Sequence, residues 1–229
     1  MTKELTSLLR NVAKVDNPNL PSLLSDKVHV SFLLDKSSSM QSLKQETIRA
    51  FNDYLNELRP NAKILCSLHQ FPGSYYDGDR YKTIYSQQPA ATAFELTDEN
   101  FQPNGGTPLF RSITELLTNL YRENPLGRHV VVILTDGEDT GGGAELAKEL
   151  IRKRREDGWQ ILFLGADIDV SRMARLMGID PMQTLSYNAR SYSSETFKAL
   201  AGSINDYADE EAHEEIDLSD LKRISNGGK

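Results

Sequence analysis

Apolar positions along the chain switch repeatedly between two spacings. Val28 to Leu34 (VHVSFLL) is a near-continuous apolar run and reads as a strand. From Met40 to Leu58 the apolar residues Leu43, Ile48, Phe51, Leu55 and Leu58 follow helical spacing, and Pro60 blocks continuation. Residues 62–71 (AKILCSLHQF) predict a second strand, and Tyr81 to Ser86 a third, reached through the turn signal Asp77-Gly78-Asp79. A hairpin there would make the third strand an antiparallel edge. A second amphipathic helix starts at Pro108 and carries Leu109, Ile113, Leu116, Leu117 and Leu120. His129 to Thr135 (HVVVILT) is a β-branched run of the kind buried on both faces of a parallel sheet. A helix closed by Gly158 follows, then a strand over Trp159 to Gly165, a short helix over 170–178 and a weaker strand from Gln183 to Tyr187. Phe197, Leu200, Ala201, Ile204 and Tyr207 line one face of a last helix.

Strands alternating with helices predict an α/β fold: a Rossmann-like, doubly wound, mostly parallel sheet with one antiparallel edge strand and helices on both faces. The chain divides into an N-terminal arm (1–25), a folded domain (26–209) and an acidic C-terminal tail (210–229) expected to be mobile at its end. The arm contains a short amphipathic stretch, Leu5, Leu8, Leu9 and Val12. In doubly wound sheets ligands sit at the carboxyl ends of the strands, near a topological switch point. The loops after Leu34, Thr135 and Gly165 are therefore where chemistry is expected.

Composition narrows the class. A length of 229 residues suits one such domain with arms, and 38% hydrophobic with 26% charged residues describes a globular chain, not a disordered one. A single cysteine excludes a disulfide framework and a thiolate zinc cluster within one chain. The balance of 26 basic against 33 acidic residues, net −7, argues against general nucleic-acid binding. No apolar run reaches membrane-spanning length, and the first residues are too polar for a secretory signal, so a soluble cytoplasmic protein without membrane contact is expected.

Three segments could carry chemistry. Asp35-Lys36-Ser37-Ser38-Ser39 follows the first strand and offers a carboxylate and two hydroxyls at alternate positions. Hard oxygens without His or Cys suit Mg²⁺ or Mn²⁺ rather than zinc. Equally, Ser38 or Ser39 could cap the next helix, and Ser38 with Gln41 has capping-box spacing. Asn104-Gly105-Gly106-Thr107-Pro108 brings the Thr107 hydroxyl to a helix entrance, which by itself is an ordinary helix start. Thr135-Asp136-Gly137-Glu138-Asp139 ends the most buried strand in a carboxylate on a glycine turn, a favoured place for a functional acid but also a common turn.

Taken together, the three segments resemble the von Willebrand factor type A (vWA) family with its metal-ion-dependent adhesion site. The likeness in order and spacing covers roughly residues 26–209. It implies Asp35, Ser37 and Ser39 as first-loop ligands of Mg²⁺ or Mn²⁺, Thr107 as the second-loop ligand, and Asp136 as a third-loop acid acting directly or through water. Ser38 departs from the glycine that many relatives carry there. The resemblance also implies a non-enzymatic adaptor whose bound ion takes a carboxylate from a protein partner, an Asp or Glu. Relatives of this kind often look like adaptors for AAA+ ATPase-type machines.

Other features point elsewhere or nowhere. His29, His69, His129 and His213 are scattered and fit structural roles, and Cys66 fits a small apolar core residue. Arg152-Lys153-Arg154-Arg155 closes a helix, where cations complement the dipole on a solvated face. Gly141 to Gly143 lacks the GK[ST] sequel of a P-loop. Two alternatives stay open. A metal-assisted hydrolase or phosphatase would draw on Glu138 as its base, and an assembly subunit would bind through the arm. Glu138 and Asp139 would give the site an acidic rim.

Overall fold

A computed structural model describes residues 26–72, 82–166, 168–187, 194–209 and 214–225. The arm, the Asp77-Gly78-Asp79 turn and His213 lie outside the described residues. Six strands form one sheet: β1 (Val28–Lys36), β2 (Ile64–Pro72), β3 (Lys82–Pro89), β4 (Arg128–Thr135), β5 (Gln160–Ala166) and β6 (Thr184–Tyr187). Their order is β3-β2-β1-β4-β5-β6, parallel throughout except for β3, which runs antiparallel to β2 at one edge. The expected fold class is the observed one.

The helices are α1 (Lys44–Leu58), α2 (Leu109–Glu123), α3 (Ala144–Glu156), α4 (Val170–Met177), α5 (Ser194–Asp209) and α6 (Ser219–Ser225). Alternation along the central strands sorts two cores. Val30, Phe32 and Leu34 of β1, with Val132 and Leu134 of β4, face Phe51 and Leu55 of α1 and Phe197 and Leu200 of α5. Phe32 meets Phe51 edge-on with ring centroids 5.2 Å apart. On the opposite face Leu33, Val131, Ile133 and Phe163 pack beneath Ile113 and Leu117 of α2, Ile151 of α3 and Met173 of α4. No helix among the described residues is long and apolar enough to cross a membrane.

Three local differences from the sequence reading have physical causes. The segment after β1 opens as a 3-10 turn over Ser38–Leu43 before α1, and Ser37 at its start makes no side-chain cap. The Ser38–Gln41 capping box does not form, because the Ser38 hydroxyl is taken by a distant loop. Beyond Asp209 the packed chain resumes rather than trailing off. Ile216, Leu218 and Leu221 are buried, Leu218 N–H donates to the Met182 carbonyl, and Ile216 N–H donates to the Gln160 side chain. Three apolar residues spaced through an acidic stretch outweigh its charge once the β5–β6 flank offers them a surface.

The basic run at the end of α3 also divides. Arg152 and Lys153 make exposed ion pairs with Glu149 on the solvated face. Arg154 instead is buried, lying over the Tyr121 ring at 3.6 Å and pairing with Asp157 at 3.3 Å.

Candidate metal centre

The strand order reverses between β1 and β4, so the connections leaving their carboxyl ends run to opposite sides, the arrangement that places a crevice there in doubly wound sheets. Register places Leu34 beside Leu134, which brings the next residues, Asp35 and Thr135, together. Asp35 has no exposed surface. One carboxylate oxygen accepts from the Ser37 N–H at 2.7 Å and the other from the Thr135 hydroxyl at 2.5 Å. Burial pushes the Asp35 carboxyl up to about 6, although the bonds from Thr135 and Ser37 pull the other way. Among the described residues no Lys, Arg or His pairs with it.

The remaining predicted residues converge on the same place. The Ser37 and Ser39 hydroxyls are 3.0 Å apart, and Ser39 donates to the Asp136 carboxylate at 2.7 Å. Gly137 lets Thr107 approach closely. A Cβ built there would stand a tight 3.2 Å from the Thr107 hydroxyl and 3.8 Å from that of Ser39, so the glycine leaves a small cradle that a side chain would fill. Asp35, Ser37, Ser39, Thr107 and Asp136 thus form one cluster drawn from three loops.

The donor set suits a divalent cation that takes oxygen. It contains two carboxylates and three hydroxyls; among the described residues no group of three His, Cys, Asp or Glu side chains could hold a metal ion, so binding here would depend on the hydroxyls. A buried carboxylate without a cationic neighbour is costly as an anion, and a bound cation offsets that cost.

The sequence model of the von Willebrand factor type A domain family matches residues 29–206. The chain belongs to that family. Domains of the family are typically protein-binding modules, mostly non-catalytic, and often bind divalent cations. Among solved structures, this vWA domain is similar to the vWF domain of a type V pilus tip protein from Porphyromonas gingivalis. The identity is 10% and the TM-score 0.60, over 80% of this chain and 97% of that one. The pilus adhesin SpaC from Lactobacillus rhamnosus GG is similar at 14% identity and TM-score 0.60, over 80% of this chain and 30% of that one. A proximal thread matrix protein from the mussel byssus is similar at 16% identity and TM-score 0.56, over 76% of this chain and 47% of that one. The chain therefore spans less than half of the adhesin and of the byssus protein, and at these identities the likeness is one of fold. No curated protein sequence matches the chain.

Residues outside the predicted set hold the loops of this vWA domain in place. Ser38 N–H donates to the Gly105 carbonyl at 3.0 Å, and Gly105 N–H donates to the Ser38 hydroxyl at 2.7 Å. Thr140 repeats the arrangement on the other side. Its N–H donates to the Thr107 carbonyl at 2.8 Å, and Thr107 N–H donates to its hydroxyl at 2.9 Å. Two reciprocal pairs therefore tie the first loop to the second and the second to the third. Thr135 is the third missed residue. Its hydroxyl holds Asp35 while accepting from Gly137 N–H at 3.1 Å. A hydroxyl residue next to each motif was the available signal, but serine and threonine are too common in loops to single it out.

The expected acidic rim is corrected. Asp139 turns inward, accepting from Phe110 N–H at 3.1 Å and from the N–H groups of Gly141 and Gly142, so it caps the start of α2. Glu138 stays exposed but pairs with Arg172 of α4 at 2.6 Å. Neither leaves a bare charge. His29, His69 and His129 lie inside the fold, and Cys66 is buried with its thiol pushed up to about 12 by desolvation, unsuited to act as a nucleophile.

Proposed function

We propose that this vWA domain is a non-enzymatic adaptor that binds a protein partner through Mg²⁺ or Mn²⁺. Asp35, Ser37, Ser39 and Thr107 would hold the ion, and Asp136, to which the Ser39 hydroxyl donates at 2.7 Å, would support it directly or through water. The convergence of these five oxygen-bearing side chains, one of them the buried carboxylate of Asp35, carries the reading. The ion supplies positive charge and an open coordination position that a partner's Asp or Glu can fill. When Asp136 acts through water, Asp35 is the one directly bound carboxylate among neutral hydroxyls, and the remaining positive charge favours an outside carboxylate. Direct contact from Asp136 would compensate that charge and disfavour the partner. The names of the similar structures include an adhesin, which is in keeping with a binding role.

The hydrolase alternative is less favoured. Glu138, the base it would use, is held by Arg172, and no histidine stands in the three loops. Calorimetric titration of Mn²⁺ into the full chain tests the reading. One site is expected in the wild type and none in Asp35→Ala, with circular dichroism showing both folded. Equal Mn²⁺ affinity in the two proteins would remove the site assignment. Where Mn²⁺ binding holds, capture of partner proteins that EDTA releases and Mg²⁺ restores tests the adaptor role.

A further inference from the structure

Arg111 occupies the first turn of α2, four residues after Thr107, on a turn that contains no acidic residue. A cation there opposes the helix dipole, so helix stability does not explain it. The side chain is half-buried. Its stem lies along the glycine loop between Asp139 and α3: a Cβ built at Gly141 would stand 3.6 Å from its Cδ, and one at Gly143 3.8 Å from its Cγ. The other half-buried arginines among the described residues are all engaged. Arg59 donates to the Ala91 and Ala93 carbonyls, Arg128 to those of Tyr207 and Ala208, and Arg155 to that of Gly178. Arg111 has no hydrogen-bond or ion-pair partner among the described residues.

Its surroundings leave room for an outside group. Nothing lies within 4 Å of a Cβ built at Gly142, and Gly142 and Gly143 take φ of +69° and +101°, so glycine keeps the strip beside Arg111 low and open. Helical side chains lean toward the amino end of their helix, here toward Thr107 and the metal loops. The nearby carboxylate of Asp139 is already taken by three backbone N–H groups, and that of Glu138 by Arg172.

We propose that Arg111 is a second anchor for the partner, which presents two acidic residues: one for the cation and one for the Arg111 guanidinium across the glycine strip. This rests on the cation-bridged reading above, and names the partner as an acidic loop or peptide rather than a lone carboxylate. The guanidinium fork can take a carboxylate through two parallel hydrogen bonds and fixes its direction, which selects among partners that all offer one acid.

A phage-displayed random peptide library panned on the Mn²⁺-loaded full chain, with EDTA elution, supplies the probe. The enriched peptides are expected to carry two acidic residues. Arg111→Gln should weaken them about tenfold by fluorescence anisotropy and flatten the salt dependence, and Arg111→Lys should restore part of the loss. Calorimetric Mn²⁺ affinity should be unchanged in both variants. Peptides with a single acid that bind wild type and Arg111→Gln equally, or a library that yields no binder to Mn²⁺-loaded protein, would overturn the second anchor and leave the metal site standing. Absence of Mn²⁺ binding to the wild type overturns the cation-bridged reading itself, and the anchor with it.

Discussion

The two ends of the central strands carry polar clusters of opposite character. At the carboxyl ends of β1 and β4, Asp35, Ser37, Ser39, Thr135 and Asp136 are joined by hydrogen bonds, Ser37 reaching Asp35 through its backbone N–H, and the cradle at Gly137 lies between Ser39 and Thr107. At the amino ends His29 and His129 stand side by side, with His129 stacked on Trp159 at 3.9 Å and its Nε2 donating to the Asn124 carbonyl at 2.9 Å. That lower cluster is sealed: His29 Nδ1, His129 Nδ1, Asn124 Oδ1, Arg154 Nε and Trp159 Nε1 are buried without partners. There is no spare room, since a Cβ at Gly127 would come within 2.9 Å of His129 Nε2. Spare lone pairs beside a cradle leave acceptors that an outside group can use. Spare polar atoms closed in by stacked rings make a plug that costs stability.

Asp35→Asn should sharpen that contrast most. It is expected to abolish Mn²⁺ binding while the cation-free protein melts no lower than wild type in thermal circular dichroism. The amide keeps the acceptor for Ser37 N–H and removes a buried charge that has no cationic side-chain partner. A melting point several degrees lower would mean that the burial argument is wrong.

Acid should attack the buried histidines, His129 at the lower end and His69 of β2 nearer the upper one. Desolvation pulls His129 down to about 3 and His69 down to about 4. Between those values and the unfolded value near 6.5, the unfolded chain takes up protons that the folded chain refuses. Stability is therefore fully present above about pH 6.5 and falls as the pH drops, by about 3 kcal/mol per such histidine by pH 4. Urea unfolding at neutral and acid pH measures the slope, which His129→Gln should flatten.

The loop ties come next in size. Ser38→Ala and Thr140→Val each remove a hydroxyl that accepts a backbone N–H from the neighbouring metal loop. Each is expected to weaken Mn²⁺ binding about threefold to tenfold and to cost about 1 kcal/mol of stability. Ser42→Ala, whose hydroxyl donates to the Ser39 carbonyl within the first loop, serves as the comparison and should do less in the same calorimetric titration.

The smallest effect belongs to the rim. Glu138→Ala breaks an exposed pair with Arg172 and should change stability by less than about 0.5 kcal/mol, with Mn²⁺ affinity unaltered in calorimetry. A severalfold drop in affinity would show that Glu138 contributes charge to the site, and that the upper end is less neutral at its edge than the pairing implies.

Local pattern made the strands, the helices and their alternation legible, because burial of an apolar face imposes its period on the residues themselves. The apolar residues at 28–34 and 129–135 and the helical spacing from Leu109 to Leu120 predicted elements that recur within a few residues. The three motifs were legible for the same reason, each being contiguous and set at a strand end or helix start. What the tertiary structure alone decided is which polar group meets which. Ser38 finds Gly105, Thr140 finds Thr107, and Asp139 turns to the start of α2, all across gaps in sequence that carry no period. The unpaired Arg111 and the return of Ile216, Leu218 and Leu221 belong with them. A hydrogen bond or ion pair between distant loops is short-ranged and directional, so its partners exist only after the β1–β4 register has brought those loops together. An apolar face needs only to be covered.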